Sequence, residues 1–281
     1  MRVLTDITTL RQEIAQQRAS GLRCALVPTM GYLHEGHLTL VDHARALADV
    51  TVLSIFVNPL QFGPQEDLAT YPRDLDRDVS LAEHRGVDLV FAPLAAELYP
   101  HSRPDIMLAA PTLTDRLCGR FRPGHFEGVL TVVAKLFNIV QPDVAVFGQK
   151  DFQQSVLIRR MIEDLNFPVR LEVAPIIREP DGLALSSRNV YLSDDQRRAA
   201  TSLQRGLQAG QAAFRRGVND AADILAAARE PLSAHAEVQV QYLELVKAQR
   251  LEPVTAAEAG NVLAVAAFVG RTRLIDNLIL A

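Results

Sequence analysis

The sequence predicts an α/β fold, in which a mainly parallel sheet is followed by a smaller C-terminal α+β domain. Short apolar segments of strand length alternate with helical segments over the first two-thirds of the chain. Near residue 190 the order changes, because two helical segments are then followed by three strand-like segments. We therefore expect two domains, at residues 1–176 and 177–281.

The first domain contains four apolar runs that are typical of buried strands. They lie at residues 24–28, 51–57, 87–92 and 143–147. Helical periodicity between them predicts helices at residues 37–48, 73–85 and 129–140. Because ligands of parallel sheets bind at the carboxyl ends of strands, we expect functional residues after positions 27, 57 and 147.

The second domain is predicted to begin with a long helix. Ser193, with Gln196 three residues later, has the pattern of a capping box at the start of this helix. One buried stripe of the helix is marked by Ala199, Ala200, Leu203 and Leu207. A second helix is expected at 221–228, and strands at 238–246, 262–269 and 272–280.

The composition excludes several classes of protein. With 48% hydrophobic and 22% charged residues the chain can bury a large core, which argues against disorder. The net charge is -4, whereas a nucleic-acid-binding protein usually has a basic surface. The two cysteines, Cys24 and Cys118, form no CxxC pair. The N-terminus has no apolar signal core and no run is long enough to span a membrane, so we expect a cytoplasmic protein.

The most informative segment runs from residue 26 to residue 38, where a strand, a glycine-containing turn and a helix follow one another. His34 and His37 fall on one face of the first helical turn, and Gly36 allows a ligand to approach the backbone. A helix start with two imidazoles favours a phosphate group. Two other interpretations stay open: a surface pair without function, and a zinc site that lacks an evident third ligand.

Two further loops follow predicted strands or precede a predicted helix. Gln61, in Asn-Pro-Leu-Gln-Phe-Gly at 58–63, offers one donor and one acceptor group to a polar ligand. An ordinary Asn-Pro turn would explain the same residues. His125, in Arg-Pro-Gly-His at 122–125, is either a site residue or a turn residue, and the sequence favours neither.

The segment after the fourth strand combines charged and amide side chains. Lys150 offers a cation to phosphate, Asp151 can accept bonds from ribose hydroxyls, and Gln154 lies one helical turn further. Asp151 and Gln154 also fit the cap of a helix, which is the structural alternative.

A last polar cluster lies at the predicted domain boundary. Ser186, Ser187 and Arg188 follow an Asp-Gly turn and could clamp a triphosphate. A helix-capping or hinge loop would contain the same residue types, and the two interpretations are compatible.

Taken in order, these motifs resemble the pantoate–β-alanine ligase family. The resemblance rests on Pro-Thr-Met-Gly at 28–31, His-Glu-Gly-His at 34–37, the 58–63 and 122–125 motifs, Phe-Gly-Gln-Lys-Asp at 147–151, and Leu-Ser-Ser-Arg-Asn at 185–189. It continues to Arg-Thr-Arg-Leu-Ile-Asp-Asn at 271–277. Leu60 and Leu185 stand where many members have methionine, an apolar exchange of similar volume.

The resemblance implies a Rossmann-like nucleotidyltransferase domain, a smaller lid-like domain and a homodimer. It also implies two half-reactions. Pantoate first attacks the α-phosphate of ATP, with Mg²⁺ present, and gives pantoyl adenylate and pyrophosphate. The amine of β-alanine then attacks the adenylate and releases pantothenate and AMP.

The resemblance also assigns roles to residues. His37 is implied as the proton donor, with His34, Lys150 and Arg188 completing the catalytic set. Gln61 and Gln154 are implied for pantoate, and Gln61 for β-alanine. The implied ATP-binding residues are Met30, Gly31, Tyr32, Leu33, His34, Glu35, Gly36, His37, Gly148, Gln149, Lys150, Asp151, Ile177, Leu185, Ser186, Ser187 and Arg188.

Ligands of Mg²⁺ stay unassigned. Asp78, in the acidic stretch 74–78, is one candidate, and an exposed helix face explains the same charges.

Three rival functions compete with this expectation. A cytidylyltransferase could carry the same His-x-Gly-His motif. A fragment of a class I aminoacyl-tRNA synthetase would need a more basic surface. A non-catalytic nucleotide sensor is disfavoured, because His34, His37, Lys150 and Arg188 are all present.

Overall fold

The computed structural model describes the whole chain, Met1–Ala281. The chain forms two compact units. Unit 1 comprises Met1–Thr112, Arg122–Gly148 and Leu157–Pro175. Unit 2 comprises Leu113–Phe121, Gln149–Val156 and Ile176–Ala281.

The strands and helices alternate along most of the chain. The strands are Arg2–Leu4 (β1), Cys24–Thr29 (β2), Val50–Ile55 (β3), Leu89–Phe91 (β4), Val144–Gly148 (β5), Arg170–Ala174 (β6), Val238–Val246 (β7), Val262–Val269 (β8) and Thr272–Ile279 (β9). The helices are Ile7–Ala19 (α1), Glu35–Leu47 (α2), Leu75–His84 (α3), Ala95–Leu98 (α4), Pro111–Thr114 (α5), Leu117–Phe121 (α6), His125–Val140 (α7), Phe152–Asp164 (α8), Asp194–Ala200 (α9), Ser202–Arg215 (α10) and Ala221–Ser233 (α11). Three 3₁₀ turns lie at Pro59–Gln61, Gln149–Asp151 and Ser187–Tyr191.

Unit 1 is built on a six-stranded sheet in the order β1-β4-β3-β2-β5-β6, with every pair parallel. The predicted α/β class is therefore confirmed. The sequence predicted only the four inner strands. The two edge strands escaped prediction because β1 has three residues, and β6, Arg-Leu-Glu-Val-Ala, alternates polar and apolar residues with only Ala174 buried. Edge strands are commonly short or polar in this way.

From β2 onward, the strand order contains one reversal. The chain moves from β2 outward through β3 and β4, and then returns to the other side of β2 for β5 and β6. The reversal lies between β2 and β5, so their carboxyl ends border the crevice where such sheets bind ligands. β2 ends at Thr29 and β5 at Gly148, directly before two of the predicted ATP segments.

Helix α2 packs its apolar face on this part of the sheet. Leu38, Val41 and Ala44 recur at helical spacing and join one core with Ala25 and Val27 of β2. Each fully buried leucine or valine of such a core contributes roughly 1.5–3 kcal/mol. The first turn of α2 is thereby fixed at the carboxyl end of β2.

Unit 2 contains the antiparallel sheet β7-β8-β9, and its three strands are those that the sequence predicted. Helices α10 and α11 pack so closely at Gly206 that a Cβ there would lie only 2.5 Å from the carbonyl oxygen of Ala228. The capping box of Ser193 and Gln196 is confirmed. The prediction of one long helix after this capping box is wrong in one respect. The helical segment divides at Thr201 into α9 and α10.

None of the helices combines the length and the apolar character that a membrane span requires.

Candidate active site

The loop after β2 has an unusual backbone. Gly31 has φ +79° and Tyr32 has φ +49°, so both residues are left-handed. A Cβ at Gly31 would lie 2.9 Å from Asp78 Oδ2 and 2.9 Å from Ile55 Cγ2, so only glycine fits. The two residues turn the chain sharply from β2 into α2, whose N-cap is His34.

Asp78 holds this loop in place. Its Oδ2 accepts a hydrogen bond from the backbone N–H of Tyr32 at 2.6 Å, and its Oδ1 accepts one from Leu33 at 2.7 Å. The residue is only 1% exposed, although it lies in the first turn of α3. Burial raises the pKa of Asp78 more than the two N–H bonds lower it.

The exposed-face interpretation of Asp78 is therefore wrong. The geometry also gives it a different task from the metal ligand considered in the sequence, because both oxygens already accept backbone N–H groups. No group of three or more His, Cys, Asp or Glu side chains in the chain is arranged to hold a metal ion.

The two histidines lie together at the start of α2. The ring centroids of His34 and His37 are 4.0 Å apart and the ring planes are inclined by 23°. The His34 side chain makes no cap bond, which leaves the first-turn amides of α2 without a side-chain cap. Glu35 is exposed and pairs with Arg85. A helix N-terminus with two adjacent imidazoles is suited to a phosphate group.

Gln61 is held by a chain of buried polar groups. Its Oε1 accepts a hydrogen bond from Asn58 Nδ2 at 3.1 Å, and its Nε2 lies 3.1 Å from Met30 Sδ. Asn58 Nδ2 also donates to the carbonyl of Gly128 at 3.1 Å, while its Oδ1 accepts from the Tyr99 hydroxyl at 2.9 Å. Such a satisfied network fixes the rotamer of Gln61, which an ordinary Asn-Pro turn would not require.

Tyr99 is a member of this network that the sequence did not identify. It lies directly after the short helix α4, in a segment without a recognisable motif. Burial raises its pKa, so the phenol keeps the proton that it donates to Asn58. Nothing local in the sequence distinguishes it from an ordinary core tyrosine.

His125 supports the backbone of Gln61. Its Nδ1 lies 2.8 Å from the Gln61 carbonyl oxygen, and its Nε2 lies 2.9 Å from Arg122 Nη1. A neutral ring with hydrogen on Nδ1 satisfies both bonds, since Nδ1 then donates and Nε2 accepts. His125 begins α7, as the turn interpretation expected, and its ring also holds the backbone of Gln61.

Glu66 completes this cluster through Arg122. Its carboxylate accepts from Arg122 Nε at 2.6 Å and from Nη2 at 2.7 Å. Burial acts to raise the pKa of Glu66, but the hydrogen bonds and charge of Arg122 outweigh it and lower the pKa from 4.5 to about 2.

This depressed pKa predicts an acid-dependent loss of stability. Ionised Glu66 stabilises the fold above pH 4.5, its unperturbed value, and this contribution disappears as the pH falls towards 2. We expect the melting temperature of Glu66→Gln to fall less over that interval than the wild type's. Thermal denaturation at several pH values measures this. Parallel curves for the two proteins would contradict the assignment.

Gly128 allows α7 to approach the Gln61 turn. A Cβ at this position would lie 2.4 Å from the carbonyl oxygen of Leu60 and 2.7 Å from the backbone nitrogen of Gln61. We expect Gly128→Ala to destabilise the fold by about 1–3 kcal/mol, because backbone atoms must move. Urea denaturation measures the loss. Gly63→Ala is the control, since its Cβ would meet Glu66 only at an ordinary 3.7 Å.

Unit 2 carries the other predicted residues. Lys150 lies in the 3₁₀ turn Gln149–Asp151, with its Nζ 3.7 Å from Asp151 Oδ2. Gln153 is buried and its Nε2 donates to the carbonyls of Leu113 and Arg116 at 2.8 Å each. Gln154, the residue implied for pantoate, is only half-buried on the next position of α8.

The remaining predicted residues lie on a hairpin and the turn that follows it. The backbone N–H of Leu185 donates to Ile177 O at 3.0 Å, which closes the hairpin. Ser186 then caps the 3₁₀ turn Ser187–Tyr191, and its hydroxyl accepts from the N–H of Arg188 at 3.3 Å. The capping interpretation is therefore confirmed.

Each unit thus gathers its own part of the predicted set. In unit 1, residues 30–37 and Gln61 lie at the carboxyl ends of β2 and β3, connected by the Met30–Gln61 contact. In unit 2, residues 149–154 share one helix start, and residues 177–188 share one hairpin and turn.

Comparisons with known proteins agree over the full chain. The sequence model of the family described as pantoate-beta-alanine ligase matches residues 2–279. The pantothenate synthetase of Thermoanaerobacter pseudethanolicus is 51% identical over 278 residues, covering 99% of this chain and 98% of the relative. That of Moorella thermoacetica is 51% identical over 280 residues, covering 100% and 99%.

Solved structures give the same result. The crystal structure of pantothenate synthetase from Thermus thermophilus has a TM-score of 0.94 and 46% identity, covering 100% of this chain and 99% of that one. The ligase from Francisella tularensis, complexed with beta-gamma ATP and beta-alanine, has a TM-score of 0.83 and 30% identity. The match covers 99% of this chain and 97% of the Francisella chain.

Proposed function

This chain belongs to the pantoate-beta-alanine ligase family, and from that membership we propose how its own residues carry out the reaction. The activity is the ATP-dependent formation of an amide bond between pantoate and β-alanine. It proceeds through pantoyl adenylate and releases pyrophosphate and AMP. The resemblance found in the sequence is confirmed at the level of the family.

In the first half-reaction, a carboxylate oxygen of pantoate bonds to the α-phosphorus of ATP, and the bond from that phosphorus to the bridging oxygen breaks. Negative charge accumulates on the phosphate oxygens, so positioned donors matter more than a nucleophilic side chain. In our proposal His34 and His37 bind the triphosphate at the start of α2, and His37 acts as proton donor. Lys150 neutralises phosphate charge, and Ser186 to Arg188 bind the β- and γ-phosphates.

Substrate positioning is the second element of the proposal. Met30 to Leu33 border the nucleotide, while Gly148 and Asp151 bind the ribose. Gln61 and Gln154 orient pantoate, and Gln61 also binds β-alanine. The observation that carries the proposal is the arrangement in unit 1, where the stacked histidines lie next to a loop fixed by Asp78 and a Gln61 fixed by Asn58. Pre-set groups of this kind lower the entropic cost of aligning two substrates.

In the second half-reaction, the neutral amine of β-alanine attacks the carbonyl carbon of pantoyl adenylate. A tetrahedral adduct forms, the carbon–oxygen bond to AMP breaks, AMP leaves with the bonding electrons, and the amine releases one proton to the solvent. Neither half-reaction passes through a covalent enzyme intermediate, so the site needs no activated serine or cysteine.

The metal belongs to the substrate in this proposal. Mg²⁺ prefers oxygen ligands and commonly binds through nucleotide phosphates with few protein ligands. The chain offers no cluster of carboxylates or histidines for a resident ion. We therefore propose that Mg²⁺ arrives as MgATP. We also propose a cytoplasmic homodimer, with residues 1–176 as the ATP- and pantoate-binding domain and 177–281 as the lid domain.

Pyrophosphate release tests the proposed reaction. The purified protein is given ATP, Mg²⁺ and pantoate, with and without β-alanine. We expect pyrophosphate only with pantoate, and pantothenate with AMP only after β-alanine is added. Turnover with CTP or another small acid, but none with pantoate, would overturn the substrate assignment. Omission of Mg²⁺ tests the metal requirement, and sedimentation equilibrium tests the dimer.

A further inference from the structure

Strand β9 contains two adjacent polar residues that are almost completely buried. Asp276 is 4% exposed and Asn277 is 3% exposed. Successive side chains of a strand point to opposite faces, so neighbours can serve two different partners. Buried polar groups of this kind are costly unless they are hydrogen-bonded, so their partners indicate their purpose.

Asn277 bonds to the turn that carries Lys150. Its Nδ2 donates to the carbonyl oxygens of Gln149 and Lys150, at 3.0 Å each. Its Oδ1 accepts from Gln149 Nε2 at 3.1 Å. The side-chain amide therefore spans the 3₁₀ turn and fixes both its backbone and its first side chain.

Asp276 bonds to the hairpin that precedes Ser186. Its two carboxylate oxygens accept from Arg178 Nη1 at 2.6 Å and from Nη2 at 2.9 Å. Arg178 Nη1 also donates to the carbonyl of Gly182, at the tip of the hairpin, at 3.1 Å. A bidentate pair of this geometry fixes orientation as well as distance.

The hairpin is in turn bonded to the segment that follows it. Asn189 Nδ2 donates to Glu179 Oε1 at 2.8 Å and to the carbonyl of Ala184 at 3.2 Å. Ser186 to Arg188 lie between the hairpin and Asn189, which is itself bonded to the hairpin. Arg178 in turn attaches the hairpin to β9. Both predicted ATP segments of unit 2 are consequently fixed by one dipeptide of one strand.

We infer that Asp276 and Asn277 are positioning residues. They hold the Lys150 turn and the Ser186–Arg188 segment at the spacing that allows both to bind the same nucleotide. The inference rests on the proposed function, because it takes both segments to bind ATP. Neither residue is assigned contact with substrate. Their effect is to keep cationic and hydroxyl groups of two separate segments at a constant spacing.

Substitution of Asn277 tests the inference through ATP binding rather than through stability. Asn277→Ala removes all three bonds, and Asn277→Asp keeps the shape but presents oxygen to two carbonyl oxygens. We expect both variants to raise the KM for ATP about tenfold or more at saturating pantoate, since small displacements of binding groups have large effects. The KM for β-alanine should change less than about twofold.

The matched control is Asn261→Ala. Asn261 is also a buried asparagine of unit 2, 8% exposed, but its side chain accepts only from the N–H of Glu258. We expect this variant to lower the melting temperature while the KM for ATP stays within about twofold of the wild type. If the three variants raise the KM for ATP equally, the effect is general destabilisation and the inference fails.

Hydrogen exchange checks the assignment of each residue to its segment. Asn277→Asp should increase deuterium uptake in peptides covering 149–151, and Asp276→Asn in peptides covering 177–188. Uptake that rises equally throughout unit 2 in either variant would overturn the division of labour between the two residues.

Lys150→Ala separates failure of the inference from failure of the proposed function. If Lys150→Ala raises the KM for ATP but Asn277→Ala and Asn277→Asp do not, the positioning role is wrong and the ATP site stands. If Lys150→Ala also leaves the KM for ATP unchanged, the ATP site itself is misassigned and the positioning role fails with it.

Discussion

Replacement of His37 by alanine is expected to lower turnover about 10²-fold or more, because it removes a hydrogen-bond donor that stabilises the negative charge developing on the phosphate. The fold should survive, since His37 is half-buried in the first turn of α2 and the core of that helix is formed by Leu38, Val41 and Ala44. The rate of pantoate-dependent pyrophosphate release measures the loss, and circular dichroism checks the fold.

His43→Ala is the control for this substitution. His43 is a half-buried histidine on the same helix, and it is not among the residues proposed to bind substrate. It should retain turnover within about twofold of the wild type. Near-normal turnover in His37→Ala would show that the central residue of the proposed mechanism is misassigned.

Replacement of Asp78 by alanine is expected to affect both stability and catalysis. The partly buried N–H of Tyr32 and the buried N–H of Leu33 would each lose their partner, at about 1–3 kcal/mol apiece. The raised pKa of Asp78 means that its buried charge is itself a cost, which the substitution removes, so the net loss of stability should fall below the sum. The loop beside His34 would lose its fixed geometry, and we expect kcat/KM for ATP to fall about 10²-fold.

Asp78→Asn refines this experiment, because the asparagine amide can accept only one of the two hydrogen bonds. We expect this variant to lose less stability and less kcat/KM than Asp78→Ala. Asp76→Asn is the control, since Asp76 is exposed two residues earlier on α3. Urea denaturation gives the free energy of unfolding, and steady-state kinetics give kcat/KM. Equal effects of Asp76→Asn and Asp78→Asn would show that net charge, rather than the two hydrogen bonds, is responsible.

The regular elements were largely predictable because their signals are local. The strands Val238–Val246 and Val262–Val269 have the bounds that the apolar runs predicted. Helix α7 begins at His125, four residues before the predicted start, because the apolar pattern becomes continuous only at Val129. The capping box of Ser193 was visible for the same reason, since both partners lie within one turn.

The supporting residues of the candidate site could not be predicted in this way. Asp78 reads as part of a charged helix face, and only its position next to Tyr32 in space shows that it is buried. Tyr99 contacts Asn58 from 41 positions away. Asn277 contacts Gln149 from 128 positions away. Motif and periodicity identify groups that face a ligand, whereas the groups behind them depend on contacts distant in sequence.

The bond from Asp78 to the loop has a consequence for the order of folding. Tyr32 and Asp78 are separated by 46 positions, and α2, β3 and the start of α3 lie between them. Closing a segment of that length costs chain entropy before the bond can form. The left-handed turn at Gly31 and Tyr32 therefore acquires its final shape only after α3 has docked on the growing sheet. During synthesis, a ribosome-bound chain that ends before residue 78 would contain both histidines but not yet the loop geometry beside them.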